Sequence, residues 1–306
     1  MRLNRRGEAG FRFPRSETGR LLLRLLCYII AGLVGLGLIL YPIISNSLYD
    51  ARQDGVLEEY QAQAETAQTE AERIALLETA RQYNRQLETG ILSLQDPFLT
   101  PTVVDEDGSQ RSLLDVTGTG VIATLDIPAL SLTLAVYYGT EAETLEKGVG
   151  VLEISSLPVG GKGTHTVLCG HSGLSTAKLF SDLELLKEGD RFSIDVLGDT
   201  LTYEVDQIST VLPEDLSQLE IDPEQDYCTL LTCTPFGINT HRLLVRGTRI
   251  ETSEPLQETE EETAESPAQS VWVKEYLKSL VIGLVVVLLV IVMICVISSV
   301  RKGRRA

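Results

Sequence analysis

Two long apolar runs near the ends of the 306-residue chain restrict its architecture more than any other feature. The first covers about Leu21 to Ile44 and is interrupted only near its start by Arg24. The second, Leu280 to Ile297, has no charged residue across 18 positions. Each is long enough to cross a hydrocarbon layer about 30 Å thick as a helix, with flanking residues completing the span. No polar stripe divides the second run, as a buried helix of a soluble domain would require. The flanks are basic: Arg2, Arg5, Arg6, Arg12, Arg15 and Arg20 before the first run; Arg301, Lys302, Arg304 and Arg305 after the second. Positive charge stays on the cytoplasmic side, so both termini are expected there and the intervening chain outside. Ser45-Asn46-Ser47 would suit signal-peptidase cleavage, but the apolar stretch exceeds the usual 7–15 residues and favours an uncleaved anchor.

Charge follows the same division. Arg24 and the flanks hold 11 of the 26 basic residues and only two acids, Glu8 and Glu17. The rest carries 15 basic against 41 acidic residues, a formal charge of −26. Such a surface repels nucleic acid and anionic wall polymer. Of five cysteines, Cys27 and Cys295 fall in the apolar runs, leaving Cys169, Cys228 and Cys233, too few for a disulfide framework. Cys228 and Cys233 are five positions apart, so on a regular strand they face opposite ways and do not bridge. Cys228 reads as a small core residue.

Between the runs the patterning changes twice. From about Ser47 to Thr89, apolar residues recur at helical spacing without proline; Gly55 is expected to divide the helix and Gly90 to stop it. From Gly120 onward, short β-rich runs alternate with Gly, Pro and Asp: Val121–Ile127, Leu132–Val136, Thr164–Cys169, Arg191–Val196, Leu201–Ser209, Cys228–Thr232 and Arg242–Ile250. A helical piece is expected at Thr176–Leu186. Strands at this density imply a closed barrel or a sandwich. The stretch after Glu251 is acidic and aperiodic, as a solvated linker would be.

The chemistry concentrates in DYCTLLTCTPFGINTHRLLVRG, Asp226 to Gly247. Cys233 closes one apolar run and Arg242 opens the next, nine residues later, across turn-forming Pro235, Gly237 and Asn239. That spacing sets a thiol and a guanidinium side by side on neighbouring strands. His171, in HTVLCGHSGL, lies 62 residues upstream of the cysteine. Acyl transfer by a thiol needs a partner for the thiolate and a group to hold the oxyanion, and these three side chains supply both. Taken singly, each is ordinary: a strand-end cysteine is usually core, and a strand-exit histidine is often merely exposed. His165 and His241 are read as structural or surface residues. No cofactor is expected, and no clustered ligands suggest a metal.

The TLLTC run and the step to Arg242 resemble the TLxTC signature of sortases. CTPFGINTHRLLVRG and the histidine segment resemble the pilin-polymerising class C branch from about Gln95 to Arg249. The resemblance implies a mainly β fold, a closed eight-stranded sortase-type β-barrel with N-terminal helices, flanked here by two transmembrane helices. With the apolar runs and the charge pattern, it divides the chain into a basic tail (1–20), a transmembrane helix (21–44), an extracellular helical region (45–94), a lid and connecting loop (95–119), a catalytic barrel (120–250), an acidic linker (251–279), a second transmembrane helix (280–300) and a basic tail (301–306). It implies a cysteine transpeptidase in which Cys233 attacks, His171 moves protons and Arg242 holds peptide and oxyanion. The implied substrate is a Leu-Pro-x-Thr-Gly-like sorting signal on pilin or another surface protein. The implied acceptor is a pilin lysine, and the implied host a Gram-positive cell.

In class C sortases an Asp-Pro-aromatic motif covers the cleft, and Asp96-Pro97-Phe98 fits it with Phe in place of the more usual Trp. Ser172 stands where Arg is expected in GHRGL, and Cys169 replaces Thr. Cys169 is expected to be a small buried residue; the rival reading is a thiol that oxidises with Cys233. Two other functions remain open: attachment of proteins to peptidoglycan, and a membrane-tethered β-domain that binds wall proteins without chemistry.

Overall fold

The computed structural model describes residues 17–66, 69–87, 98, 113–174, 176–251 and 270–303. The chain divides into two compact units, residues 1–45 and 46–306. In the first, the described part is helical from Glu17 and exposes Tyr28, Ile29, Leu33 and Ile43. Among the described residues, Tyr28–Gln63 is the one helical stretch meeting the length and hydropathy for crossing a membrane. The two expected spans therefore stand as one candidate crossing. The second run lies within a regular helix, but a second crossing is not established.

In the second unit the strands are β1 (Val121–Ile127), β2 (Leu132–Tyr138), β3 (Val149–Val151), β4 (Thr164–Cys169), β5 (Arg191–Val196), β6 (Asp199–Val211), β7 (Asp226–Thr234) and β8 (His241–Ile250). They close into a barrel in the order β1-β2-β3-β4-β7-β8-β6-β5. Closure leaves no free sheet edge. Two pairings, β2–β3 and β4–β7, are parallel; the others are antiparallel. The β4–β7 pair brings the segment leading to His171 beside the segment leading to Cys233. Seven strands occupy the expected runs, several of them longer, while β3 does not stand out in the sequence.

Alternation along β7 and β8 creates two apolar faces. Cys228, Leu230, Leu243 and Val245 join the large core with Leu125, Ile194 and Tyr203. Leu231 and Leu244 face the other way, into a smaller cluster with Val167, Cys169 and Leu145. Cys228 and Cys233 thus have opposite strand parity, and no disulfide joins them, as their spacing predicts.

The helices are α1 (Glu17–Thr66), α2 (Glu70–Leu87), α3 (Ala142–Lys147) and α4 (Val271–Gly303). Gly55 does not divide α1. Buried residues on both sides outweigh its propensity cost of roughly 1 kcal/mol. Tyr60 is fully buried, its hydroxyl donating to Ile122 O at 2.9 Å and accepting from Leu197 N at 3.1 Å. The next helix begins instead at a capping box. Glu72 N lies 3.4 Å from Thr69 Oγ1, and Thr69 N donates to Glu72 Oε2 at 2.9 Å. Asn84 then clamps α2 to the barrel, donating to Leu157 O at 3.0 Å and accepting from Leu157 N at 2.8 Å. Gly90 lies outside the described residues. The helical piece expected at Thr176–Leu186 is a shorter 3-10 segment, Leu179–Leu185.

His165 answers its structural expectation. It is 1% exposed, with Nδ1 2.9 Å from Glu220 O and Nε2 2.8 Å from Thr229 Oγ1. A carbonyl only accepts, so Nδ1 carries the proton and Nε2 accepts from the hydroxyl. Burial pushes the imidazole down to about 4, partly opposed by its bond to Glu220. The unfolded chain takes up a proton near 6.5, whereas the folded one resists until about 4, so acid favours unfolding across that window. We expect His165 to contribute about 3 kcal/mol to the stability lost between those pH values. Thermal unfolding should therefore be less acid-sensitive over that window in His165→Gln; equal sensitivity would refute this account.

Candidate active site

Cys233 and Arg242 are register partners across the β7–β8 hairpin. The turn between them holds Asn239 at φ 61°, and the amides of Ile238 and Asn239 both donate to Pro235 O at 3.0 Å. Asparagine tolerates this left-handed conformation better than most residues. Arg242 is 2% exposed and Cys233 7%. The guanidinium Nη1 donates to His241 O at 3.0 Å and to Asn239 O at 3.2 Å, so the turn that brings β8 back also orients the arginine.

His171 arrives from the neighbouring strand. Thr232 Oγ1 donates to Gly170 O at 2.7 Å, and Gly170 N donates to Leu231 O at 3.1 Å, extending the β4–β7 pairing to the residue before the histidine. A Cβ on Gly170 would lie 2.7 Å from the buried Phe180 ring, so this close approach needs glycine. His171 is partly exposed; burial lowers its pKa, and the charge of Glu146 opposes the shift. The neutral imidazole is favoured accordingly. Glu146 lies on α3, six residues whose short run carries no clear helical period, and reasoning from the sequence missed it.

Phe98 joins the two sides. Its ring centroid is 5.7 Å from that of His171 at an interplanar angle of 47°, and Arg242 Cζ lies 5.2 Å from the Phe98 centroid. The ring also packs against the smaller apolar cluster. The ring presents a π face to the guanidinium, a contact worth about 0.5–2 kcal/mol. Asp96 and Pro97 lie outside the described residues. Cys169 is fully buried in the smaller cluster, opposite Leu231, as expected of a compact apolar residue. His241 is partly exposed, its Nδ1 2.9 Å from Thr240 Oγ1. Among the described residues no metal-binding group of side chains occurs.

A thiol, an imidazole and a guanidinium thus converge on one wall of a closed eight-stranded barrel, an arrangement fit for covalent acyl transfer. The sortase domain model matches residues 125–250. The structure resembles a crystal structure of Streptococcus pneumoniae Sortase C, described as giving insight into catalysis and pilin substrate specificity, with 40% identity and a TM-score of 0.60, covering 66% of this chain and 100% of that one. Sortase A from Corynebacterium diphtheriae matches at 42% identity and TM-score 0.58 over 69% of this chain and 99% of that one; another structure of that enzyme is described as a lid mutant. Sortase A of Bacillus anthracis is 32% identical over 132 residues, 43% of this chain and 61% of that protein. The chain belongs to the sortase family, whose members are cysteine transpeptidases.

Proposed function

We propose that this chain is a membrane-anchored class C sortase that cleaves a Leu-Pro-x-Thr-Gly-like sorting signal and transfers the acyl group to a pilin lysine. The observation that carries this reading is the Phe98 ring lying against both His171 and Arg242, with Cys233 the strand partner of that arginine. The pilin half rests on the likeness to Streptococcus pneumoniae Sortase C. In this reading His171 takes the Cys233 thiol proton, and the resulting thiolate attacks the threonine carbonyl carbon of the Thr–Gly bond. The C–N bond breaks as His171 gives its proton to the departing amine, leaving a thioester. The incoming lysine amine then attacks the thioester, His171 takes the amine's proton, and the thiolate departs. Proton transfer of this kind contributes about 10²–10⁴ in rate. Arg242 holds the oxyanion in both steps, where a fixed, always-charged donor counts most.

Anchoring follows the apolar runs: α1 crosses the membrane once, α4 crosses it again, and the barrel works outside with both termini in the cytoplasm. Asp96, Pro97 and Phe98 act as a lid. If they do, Phe98→Ala removes ring contacts worth roughly 1–2 kcal/mol and exposes the thiol on the order of tenfold more often. Thiol labelling of Cys233 should accelerate by about that factor; an unchanged rate would reject the lid.

The activity is tested with the full chain in detergent micelles, a sorting peptide, and either a lysine-bearing pilin fragment or a peptidoglycan stem peptide as acceptor. Release of the Gly-containing fragment with joining to the lysine is expected. Joining only to the stem peptide would replace pilus assembly by wall attachment, and no release would leave a binding module.

A further inference from the structure

The segment that follows His171 is tied to two helices outside the barrel. It first closes on itself: Phe180 N donates to His171 O at 3.1 Å, and Gly173 N donates to the buried Ser181 Oγ at 3.1 Å. From outside, Asn46 of α1 accepts Lys178 N on Oδ1 at 2.9 Å. Trp272 of α4 donates its indole Nε1–H to Leu174 O at 3.2 Å. Asp182, fully buried, accepts the first two amides of α4 on Oδ1, Val271 N at 2.8 Å and Trp272 N at 3.3 Å. Lys178 Nζ lies 2.7 Å from Asp182 Oδ2.

Each contact has a reason to be rigid. The opening amides of a helix have no partner within it, and a carboxylate at that end also meets the positive end of the helix dipole. A buried carboxylate needs such partners, because a buried charge left unpaired is strongly destabilising. Trp272 is fixed on its other side by stacking on Tyr276, with centroids 5.8 Å apart at 13°. The result is a continuous path from the start of α4, through Leu174 and Asp182, to the backbone of His171.

We propose that Trp272 and Asp182 are positioning residues for His171, so that the C-terminal helix is a working part of the catalytic site as well as an anchor. This rests on the reading of His171 as the proton-transfer group. Both residues act through the 171–182 segment and touch neither substrate nor thiol. Proton transfer depends steeply on placement, and a displacement of about 1 Å can cost as much as 10²-fold in rate. Losing one tether should therefore lower turnover and leave peptide binding intact.

The test uses the full chain in detergent micelles with a sorting peptide. Trp272→Phe keeps the ring and removes only the indole donor. Its kcat should fall about tenfold with KM within twofold and an unchanged melting temperature. Asp182→Asn should lower kcat further if it folds, and Trp272→Phe decides the matter if it does not. In a His171→Ala background, Trp272→Phe should cause no further loss of the residual cleavage, because two residues acting through one group are not additive. Full kcat in Trp272→Phe, a change confined to KM, or the same tenfold loss without the histidine would overturn the proposal. A fully active His171→Ala would instead overturn the catalytic reading. An inactive His171→Ala beside an undiminished Trp272→Phe would sink the positioning role alone.

Discussion

Cys233→Ala is expected to abolish cleavage of sorting peptide while the melting temperature stays within about 2 °C of the parent. The loss should be complete within detection, since no other described thiol can replace it. Cys228 is fully buried in the barrel core, where burial drives its pKa far upward and keeps it a thiol, and Cys169 is fully buried in the smaller cluster. The stability cost should be small because one sulfur at a 7%-exposed strand end leaves little void. Cleavage assays and thermal unfolding of the same preparation check both halves. Retained cleavage would end the thiol mechanism, and a collapse in melting temperature would make the loss of activity uninterpretable as chemistry.

Arg242→Lys should fail almost as badly as Arg242→Ala, with kcat/KM down by about 10²–10³, the scale of removing one oxyanion donor. The arginine is 2% exposed, anchored through Nη1 to the carbonyls of Asn239 and His241, and faced by the Phe98 ring. A lysine ammonium is one compact charge: it cannot hold the turn with one nitrogen while another meets the oxyanion, and it lacks the planar face that stacks on an aromatic ring. Steady-state kinetics of the two variants separate geometry from charge. Full activity in Arg242→Lys would mean that a positive charge alone suffices.

The pairing at the heart of the site was readable because a hairpin obeys local rules. Two apolar runs joined by Pro235, Gly237 and Asn239 can return only as neighbours, and the alternation of side chains fixes which face each residue takes. The register Cys233↔Arg242 follows from that. The place of His171 was less accessible, because a parallel β4–β7 pairing depends on a long connection with no turn signature. Resemblance to sortases, rather than spacing, joined it to the other two. The same holds for Phe98, whose surroundings in the sequence carry no period.

The misses have physical causes too. β3 is three residues, Val149–Val151, too few to display an alternation, and α3 covers less than two turns. Gly55 reads as a helix breaker by propensity, but Leu57 and Tyr60 beyond it are buried and tertiary packing outweighs propensity. The actual restart was written at Thr69 and Glu72, a capping-box pair that the glycine overshadowed. The tether from α4 to Leu174 and Asp182 had no sequence signal, since its partners are 98, 89 and 90 positions apart.

The central claim is that Cys233 becomes the covalent carrier of the peptide. Intact mass measurement of the full chain after brief incubation with a sorting peptide, without any amine acceptor, tests it most directly. The account predicts one added acyl group, mapped to the peptide containing Cys233, released by hydroxylamine and absent in Cys233→Ala. Turnover of the peptide with no such adduct under any quench, or an adduct carried by Cys169 or Cys228, would contradict it.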